Sequence, residues 1–239
     1  MAKTLITGAA SGIGKALANR LAAAGHQLVL VDTSAIDHPA ALQGDVSSEQ
    51  FWEDAAPALA GLTHAAINAG ISVQEPVETL AFADWRRVLA VNLDGAFLTL
   101  RAAIRAIKDS EGPRAVVITG SIIGIKVEPG TAAYGASKAG VLHLARIAAK
   151  ELAADGIRVN AIAPGGVDTA IWDSAPFFAD LVRSEGSRDL AIAAMGRMAT
   201  PLGRYATADE IAAHIDFLLS DDAAFITGAV LTSDGGYSL

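Results

Sequence analysis

The chain has 239 residues, of which 52% are hydrophobic and 18% charged, and its formal net charge is −8. This composition excludes a disordered or fibrous chain and favours one globular domain with a full hydrophobic core, while the scattered lysines and arginines exclude the basic stripe that nucleic-acid or anionic-membrane binding needs. The absence of cysteine removes disulfides, thiolate nucleophiles and cysteine-based zinc sites, so we expect no metal centre.

The N-terminus enters a strand pattern at once, without the basic, apolar and cleavage regions that follow one another in a signal peptide. No apolar run reaches the ~20 residues that a membrane-spanning helix needs. We therefore expect a soluble cytoplasmic protein with no membrane or nucleic-acid partner.

Short β-branched runs alternate with longer stretches of 3.6-residue apolar periodicity, which is the pattern of βα units that feed a parallel sheet. The fold class predicted is α/β, with a doubly wound seven-stranded parallel sheet flanked by helices and ligands outside the carboxyl ends of the strands. Strands are predicted at about 3–7, 28–32, 42–46, 64–68, 115–119, 158–162 and 229–232. Helices are predicted at about 12–24, 48–59, 81–108, 134–154 and 207–220.

Two connections depart from this alternation. Only twelve residues, Pro39 among them, separate Asp32 from Asp45, which is near the minimum for a parallel crossover and leaves little room for a full-length helix. The segment from Gly165 to Gly203 is instead long and rich in Phe, Met, Trp and Arg. We interpret residues 165–203 as a lid over the substrate within a single domain that spans 1–239.

A glycine-rich segment, Thr7-Gly8-Ala9-Ala10-Ser11-Gly12-Ile13-Gly14, follows the first strand and opens the first helix. Its glycines allow a tight turn and the close approach of a pyrophosphate to the positive end of that helix. The pattern taken alone also fits an ordinary turn between a strand and a helix. The predicted cofactor contacts in this segment are Gly8, Ser11, Gly12, Ile13 and Gly14.

Asp32 stands at the end of the second predicted strand, where a carboxylate accepts hydrogen bonds from ribose hydroxyls and repels a 2′-phosphate. Neither Thr33 nor Ser34 offers a positive charge that would reverse this preference. The prediction is therefore NAD (NADH) rather than NADP. The alternative is an aspartate that only caps a turn.

Tyr134 and Lys138 lie four residues apart on a helical pattern, so their side chains share one face. A phenol with an ordinary pKa of ~10 is a poor base at neutral pH, and an adjacent ammonium lowers that pKa by favouring the phenolate. The pair suits an acid/base, although a tyrosine and a lysine at this spacing more often form a surface pair.

Together these motifs resemble those of the short-chain dehydrogenase/reductase family over essentially the whole chain. The family's Thr-Gly-x-x-x-Gly-x-Gly matches residues 7–14, its Asn-Ala-Gly matches Asn68-Ala69-Gly70, and its Tyr-x-x-x-Lys matches Tyr134 to Lys138. The resemblance implies a Rossmann fold that binds a nicotinamide dinucleotide. The short connection after Asp32 departs from the family pattern, where a helix often follows, and predicts a less covered adenine.

Further positions match the family, and the resemblance implies their roles. Ser121, thirteen residues before Tyr134, would donate a hydrogen bond to the substrate oxygen, and Lys138 would hold the nicotinamide ribose and lower the pKa of the tyrosine. Asn92 would support a proton path through its backbone carbonyl, or would only distort its helix; the two roles are compatible. Asp234-Gly235-Gly236 also matches. The remaining implied cofactor contacts are Asp45 and Val46 at the adenine, Asn68, Ala69 and Gly70 in the Asn-Ala-Gly motif, and Pro164, Gly165, Val167 and Thr169 at the nicotinamide carboxamide.

These residues predict an NAD(H)-dependent oxidoreductase that interconverts a secondary alcohol and a ketone by hydride transfer, with Tyr134 as the acid/base. One alternative is an NADPH-dependent 3-oxoacyl-carrier reductase, which Asp32 and the lack of Arg or Lys before Gly12 disfavour. A second is a non-catalytic NAD-binding sensor, which would have no need of Ser121, Tyr134 and Lys138. A third, a cofactor-free lyase, is disfavoured by the intact glycine loop.

The substrate is expected to be a small to medium, largely apolar alcohol or ketone, because apolar side chains of the lid and of the segment after Ser121 could form a wall above the nicotinamide. The alternative is that they pack the lid onto the domain. Four cations could meet an anionic substrate, although solvated charge is the commoner role. The resemblance also implies a homo-oligomer, commonly a tetramer, assembled through the helices at 81–108 and 134–154 and the C-terminal strand. The apolar residues are Ile123, Ile125, Ile171, Trp172, Phe177, Phe178, Met195 and Met198, and the cations are Lys126, Arg183, Arg188 and Arg197.

Overall fold

The computed structural model describes residues 1–175 and 177–239. Its strands are β1 (Lys3–Thr7), β2 (Gln27–Asp32), β3 (Ala41–Gln43), β4 (His64–Ile67), β5 (Arg114–Thr119), β6 (Ile157–Pro164), β7 (Val167–Asp168), β8 (Ala206–Thr207) and β9 (Val230–Ser233). Its α-helices are α1 (Gly12–Ala23), α2 (Glu49–Ala55), α3 (Phe82–Leu89), α4 (Gly95–Lys108), α5 (Ala132–Leu152), α6 (Phe178–Glu185), α7 (Arg188–Ala199) and α8 (Ala208–Leu219). In the described part of the chain, no helix is long and apolar enough to cross a bilayer.

The predicted seven-stranded parallel sheet is confirmed, with the strand order β3-β2-β1-β4-β5-β6-β9. The chain builds outward from β1 through β2 to β3 and then returns to place β4 on the other side of β1. A crevice opens outside the carboxyl ends of the strands where the order reverses in this way. In this molecule the crevice lies beyond the ends of β1 and β4, at Thr7 and Ile67.

The core has two layers because successive strand residues face opposite sides of the sheet. Leu5 and Val116 pack on the side that carries α2, α4 and α5, whereas Ile6 and Val117 pack against α1 and α8. Each fully buried leucine or isoleucine of this kind contributes roughly 2 kcal/mol through removal from water. These layers hold the strand ends rigidly, and with them the loops that carry the predicted site.

The helix predicted over 81–108 is wrong as one regular helix. It is divided into α3, a π-helical turn at Ala90–Asp94, and α4. The amide of Gly95 donates to the carbonyl of Ala90, five residues back. Gly95 also packs on Val46 so closely that an added Cβ would lie 2.7 Å from the valine Cγ2. The wide turn thus accommodates a contact from a distant loop.

The other elements differ from prediction only near their ends. The helix predicted over 48–59 becomes α2 followed by a 3-10 turn at Ala56–Leu59 that contains Pro57, which lacks the amide needed to continue the α-helix. The short connection after Asp32 is confirmed, since residues 33–40 contain no helix. The segment read as a lid folds into β7, a 3-10 turn at Ala170–Ser174, α6 and α7.

His64 is a buried titratable group that lies away from the predicted site, at the start of β4. It is 8% exposed, and its Nδ1 lies 2.8 Å from the hydroxyl of Thr63. Burial, helped by the positive charge of Arg158, lowers the pKa of His64 from 6.5 to about 4. Between these two pH values the imidazole of His64 is protonated in the unfolded chain and neutral in the folded protein. A fall in pH therefore lowers the free energy of unfolding.

We expect the free energy of unfolding to fall by up to roughly 3 kcal/mol through His64 as the pH drops from about 6.5 to about 4, and to change little through this group above 6.5. The His64→Gln variant should lose that part of the pH dependence. Urea unfolding at about pH 7 and about pH 4.5 measures it, with the variant at exposed His143 on α5, His143→Gln, as the control. Equal acid sensitivity of the wild type and His64→Gln would contradict the account.

Candidate active site

The predicted site residues meet at the carboxyl edge of the sheet. The glycine-rich loop (residues 7–14) follows β1, the Asn-Ala-Gly motif follows β4, and Ser121 follows β5. The segment 164–169 continues from β6, while α5 brings Tyr134 and Lys138 beside the end of β5. Residues separated by more than 150 positions in the chain therefore surround one crevice.

The glycine-rich loop turns back on itself tightly. Gly8 has φ +68°, a conformation that favours glycine, and a Cβ added at Gly14 would collide with the carbonyl oxygen of Gly8. Ser11 takes an extended conformation at the N-cap of α1, and Ile13 packs partly onto the core. The loop presents the amide end of α1 to the crevice, which suits a phosphate group.

Thr7 ties this loop to the neighbouring motif, a role that the sequence reading missed. Its hydroxyl accepts hydrogen bonds from the amides of Asn68 and Ala69, at 3.0 and 3.1 Å, and its carbonyl accepts one from Nδ2 of Asn68 at 3.3 Å. The side chain is fully buried. The threonine thus fixes the spacing between the two loops that would flank a dinucleotide.

Asp32 uses both carboxylate oxygens within the protein. Oδ2 accepts from the amide of Ala10 at 3.0 Å, and Oδ1 accepts from the amide of Ser34 at 2.9 Å. The turn-capping alternative is therefore present in the structure. Each carboxylate oxygen accepts more than one hydrogen bond, so the same group remains able to receive a ribose hydroxyl.

The predicted adenine side is built around Asp45 and Val46. Oδ1 of Asp45 accepts from both the amide and the hydroxyl of Ser47, each at 2.8 Å, and so shapes the turn into α2. Val46 is buried, and its carbonyl accepts from the indole nitrogen of Trp52 at 2.9 Å. The reduced cover expected over an adenine here stays a prediction.

The segment predicted at the nicotinamide carboxamide lies against the glycine-rich loop. The amide of Gly165 donates to the carbonyl of Ser233 on β9 at 3.0 Å. Thr169 packs against Gly12, because a Cβ added to Gly12 would lie 3.3 Å from Cγ2 of Thr169. Val167, the start of β7, is buried. Pro164 ends β6 opposite Ser233. The segment therefore closes the crevice from the side of β9.

Ser121, Tyr134 and Lys138 form one cluster. The Ser121 hydroxyl makes a hydrogen bond with Tyr134 and accepts one from the amide of Ile123 at 3.2 Å. Lys138 is only 4% exposed, and its ammonium lies 5.7 Å from the centre of the Tyr134 ring. That ammonium donates to the carbonyl of Thr119 at 2.9 Å, which is its hydrogen-bond acceptor in the described part of the chain.

The electrostatics of the cluster differ from the prediction. Burial raises the pKa of Tyr134, and the hydrogen bond from Ser121 opposes this shift only in part. The predicted lowering of this pKa is wrong for this structure, because loss of hydration disfavours the phenolate more than the neighbouring groups favour it. Burial also lowers the pKa of Lys138 to about 8. The site thus holds a protonated phenol, the form that donates to a carbonyl oxygen.

Comparison with known proteins agrees with this arrangement. A family model described as enoyl-(acyl carrier protein) reductase matches residues 8–238. The cis-4-hydroxycyclohexanecarboxylate dehydrogenase of Sinomonas cyclohexanicum is 37% identical, over 98% of this chain and 95% of that protein. The 3beta-hydroxysteroid dehydrogenase 1 of Eggerthella lenta is 36% identical, over 98% and 93%. The ligand-free aldohexose dehydrogenase of Thermoplasma acidophilum superposes with a TM-score of 0.89 at 26% identity, over 99% of this chain and 94% of that one.

The chain belongs to the short-chain dehydrogenase/reductase family. It is an oxidoreductase that acts on CH–OH groups, and its fold implies a nicotinamide cofactor. The predicted resemblance is confirmed.

In this family member the side chain of Asn92 has a structural task. Its Oδ1 accepts from the amide of Ile71 at 2.8 Å, and its Nδ2 donates to the Ile71 carbonyl at 2.9 Å and to the Ser137 hydroxyl at 3.0 Å. Asn92 therefore joins the π-helical turn, the loop after β4 and α5. With the side chain engaged in this way, the proton path through its backbone carbonyl stays a prediction.

The segment predicted to form a lid, residues 165–203, has its own small core. Phe178 and Met195 are buried there with Ile192, and Trp172 stacks on Tyr205 with ring centres 5.4 Å apart. Phe178, Met195 and Trp172 therefore pack mainly within this segment, whereas the alternative to a substrate wall placed them between the segment and the rest of the domain. The predicted wall residues that remain exposed are Ile125, Ile171, Phe177 and Met198, while Ile123 is partly buried.

The four predicted cations have different surroundings. Arg188 links α7 to the segment that precedes it: it pairs with Asp168 at 2.7 Å and with Asp173 at 3.0 Å, and it donates to the carbonyl of Thr169. Arg183 pairs with Asp180, and Arg197 is exposed. Lys126 contacts the C-terminal tail. Arg188 therefore fixes the segment beside the glycine-rich loop rather than standing free for a substrate.

Proposed function

We propose that the protein is an NAD(H)-dependent oxidoreductase that interconverts a secondary alcohol and a ketone, with Tyr134 as the acid/base. The observation that carries the proposal is the Ser121–Tyr134–Lys138 cluster beside the glycine-rich loop. A phenol hydrogen-bonded to a serine and adjacent to a buried ammonium is a group equipped to exchange a proton with a bound oxygen.

The residues present fit a nicotinamide dinucleotide. The close approach of Gly14 to Gly8 keeps the loop clear of side chains where a pyrophosphate would lie. Lys138 has three ammonium hydrogens, of which the carbonyl of Thr119 accepts one, so donors remain for ribose hydroxyls. When bound, the nicotinamide would supply or accept the hydride.

The chain's own residues would then handle the oxygen and its proton. Ser121 donates a hydrogen bond to the substrate carbonyl and orients it, and the Tyr134 hydroxyl gives its proton to the same oxygen during reduction. In oxidation the proton returns to Tyr134, which must first be ionised. Because burial raises the pKa of Tyr134, we expect reduction to dominate at neutral pH and oxidation to accelerate as the pH rises.

Asp32 supports the choice of NAD, since its carboxylate stands where a 2′-phosphate would meet negative charge. We expect kcat/KM with NADH to exceed that with NADPH by about a hundredfold, and Asp32→Ala to reduce this ratio by tenfold or more, on the order of 1–3 kcal/mol. Initial rates with each cofactor measure the ratio.

Asp32→Asn is the matched control because it keeps an oxygen for the amide of Ala10 or Ser34 but removes the charge. If charge repulsion sets the preference, both variants lose it; if only the shape of the loop matters, Asp32→Asn retains it. A wild type that prefers NADPH would instead favour the 3-oxoacyl-carrier reductase, and a 3-oxoacyl thioester belongs in the same assay for that reason.

We further propose a largely apolar substrate beneath a lid formed by residues 165–203. Of the three proteins compared above, two are named for a hydroxycyclohexanecarboxylate and a hydroxysteroid and one for an aldohexose. The exposed apolar side chains of Ile125, Ile171 and Phe177 favour the first two classes over a sugar. A substrate panel that yields activity only with highly polar sugars would refute this part of the proposal.

We also propose a cytoplasmic homotetramer. The absence of cysteine suits a reducing compartment. Phe97 on α4 and Ile147 on α5 are 46% and 44% exposed, and β9 lies at the edge of the sheet. Exposed apolar helix faces and a free strand edge are features that association covers. Light scattering gives the number of subunits.

A further inference from the structure

The loop that joins Ser121 to Tyr134 is held by the end of the chain. We propose that Lys126 and Tyr237 form a clamp through which the C-terminal tail positions this loop and walls the substrate site. Both would be positioning residues, and the tail (residues 234–239) would be a determinant of substrate specificity. This inference rests on the proposed function for the identity of the reaction, but the clamp itself can be tested without turnover.

The clamp consists of three contacts. The ammonium of Lys126 donates to the backbone carbonyl of Tyr237 at 2.7 Å and lies over its ring, 3.9 Å from the ring centre. The Tyr237 hydroxyl donates to the carboxylate of Glu128 at 2.7 Å. One aromatic side chain from the tail thus engages two residues of the loop, one through its face and one through its edge.

The tail is stiff enough to act as an anchor. The carboxylate of Asp234 accepts from the amides of Gly236 at 3.0 Å and Ser238 at 2.8 Å, and the amide of Tyr237 donates to the Asp234 carbonyl at 3.1 Å. Gly236 packs on Pro201, with an added Cβ at 3.0 Å from the proline Cγ. This turn continues directly from β9, so the clamp connects the loop to the sheet.

The Ser121 end of the loop follows the clamp closely. The amide of Lys126 donates to the carbonyl of Ile122 at 2.7 Å, and this closes the turn that begins at Ser121. The Ser121 hydroxyl accepts from the amide of Ile123 within the same turn. A shift of Lys126 therefore changes the orientation of the hydroxyl that would hold the substrate oxygen.

The Tyr134 end is tied in the same way. The hydroxyl of Thr131 donates to the carbonyl of Glu128 at 2.7 Å, and the carbonyl of Thr131 accepts from the amide of Gly135 at the start of α5. Gly130 accepts from the amide of Glu75 at 2.8 Å, which fixes the outer side of the loop. The two halves of the proposed proton-transfer pair thus share one tether.

The loop also offers the apolar surface that a substrate wall needs. Ile125 and Val127 flank Lys126 and are 55% and 91% exposed. They contrast with Ile122, which is buried in the preceding turn. A loop held by its central lysine would present these side chains at a constant position, whereas a released loop would not.

The test compares Tyr237→Ala, which removes both ring contacts, with Tyr237→Phe, which keeps the ring over Lys126 and loses only the hydroxyl. We expect Tyr237→Ala to raise KM for the ketone about tenfold, with a smaller change in kcat, because misplacement of a binding wall is felt mainly in substrate binding. In Tyr237→Phe the KM for the ketone should stay close to that of the wild type. The dissociation constant for NADH should stay within about twofold in both variants.

Lys126→Met should behave like Tyr237→Ala, and the double variant should be no worse than either single one, since both remove the same tether. Leu239→Ala, at a fully exposed side chain of the same tail, is the control. Hydrogen exchange of the peptide covering residues 122–131 should accelerate in Tyr237→Ala and Lys126→Met and not in Tyr237→Phe.

Unchanged KM and unchanged exchange in Tyr237→Ala would overturn the clamp, and so would a parallel loss of kcat, NADH affinity and thermal stability, which marks general unfolding. A wild type that reduces no ketone with either cofactor would defeat the proposed function, while the exchange measurement would still decide whether the tail holds the loop.

Discussion

Replacing Tyr134 by phenylalanine should lower turnover by about two to four orders of magnitude and leave NADH binding nearly intact. The change deletes only the hydroxyl that is hydrogen-bonded to Ser121, and the ring still fills its place against Lys138. Stopped-flow or steady-state nicotinamide absorbance gives the rate, and quenching of protein fluorescence gives the affinity.

Tyr205→Phe is the matched control for this variant. Tyr205 stacks on Trp172, away from the Ser121–Tyr134–Lys138 cluster, so Tyr205→Phe removes a hydroxyl outside the proposed proton path. We expect turnover within about twofold of the wild type. If Tyr134→Phe were as active as Tyr205→Phe, the acid/base would have to be another group.

The second large effect is expected at Lys138. Methionine retains the length of the stem but not the charge, so Lys138→Met should weaken NADH binding about tenfold and reduce turnover about a hundredfold or more. Both effects are expected because the ammonium lies between the Thr119 carbonyl, Gly70 and the Tyr134 ring. At this position it would donate to a ribose hydroxyl and stabilise a phenolate.

The pH dependence of NADH binding gives a sharper form of this prediction. Burial lowers the pKa of Lys138 to about 8, so the ammonium is present below that pH and lost as the pH rises through it. NADH affinity of the wild type should therefore fall above about pH 8, whereas that of Lys138→Met should stay level. Lys150→Met, at an exposed lysine of α5, should follow the wild type. A level profile in the wild type would speak against a cofactor role for the ammonium.

The strands and most helices could be predicted because the cause is local. Short apolar runs such as residues 28–31 (Leu-Val-Leu-Val) predict strands, and apolar periodicity such as that of α8 predicts helices. The parallel sheet follows from the alternation of the two. The π-helical turn at Ala90–Asp94 could not be predicted in this way. At this turn Val46 packs onto Gly95, a contact across 49 positions that the periodicity of the sequence cannot predict.

The candidate site shows the same division. The spacing of the motifs correctly predicted that Ser121, Tyr134 and Lys138 lie close together. The predicted direction of the pKa shift of Tyr134 was wrong, because burial is a property of the folded molecule. Arg188 looked like a free cation, and its acidic partners lie 15 and 20 positions away. Lys126 and Tyr237 are 111 positions apart, and nothing in the short motifs links them.

The most direct test of the central claim is to mix the purified protein with a panel of secondary alcohols and ketones, with NAD(H) and NADP(H) in turn, and to follow nicotinamide absorbance. We expect NADH oxidation with at least one largely apolar ketone, faster than with NADPH, and abolished in Tyr134→Phe. A folded protein that binds neither cofactor, or one whose turnover survives in Tyr134→Phe, would contradict the account.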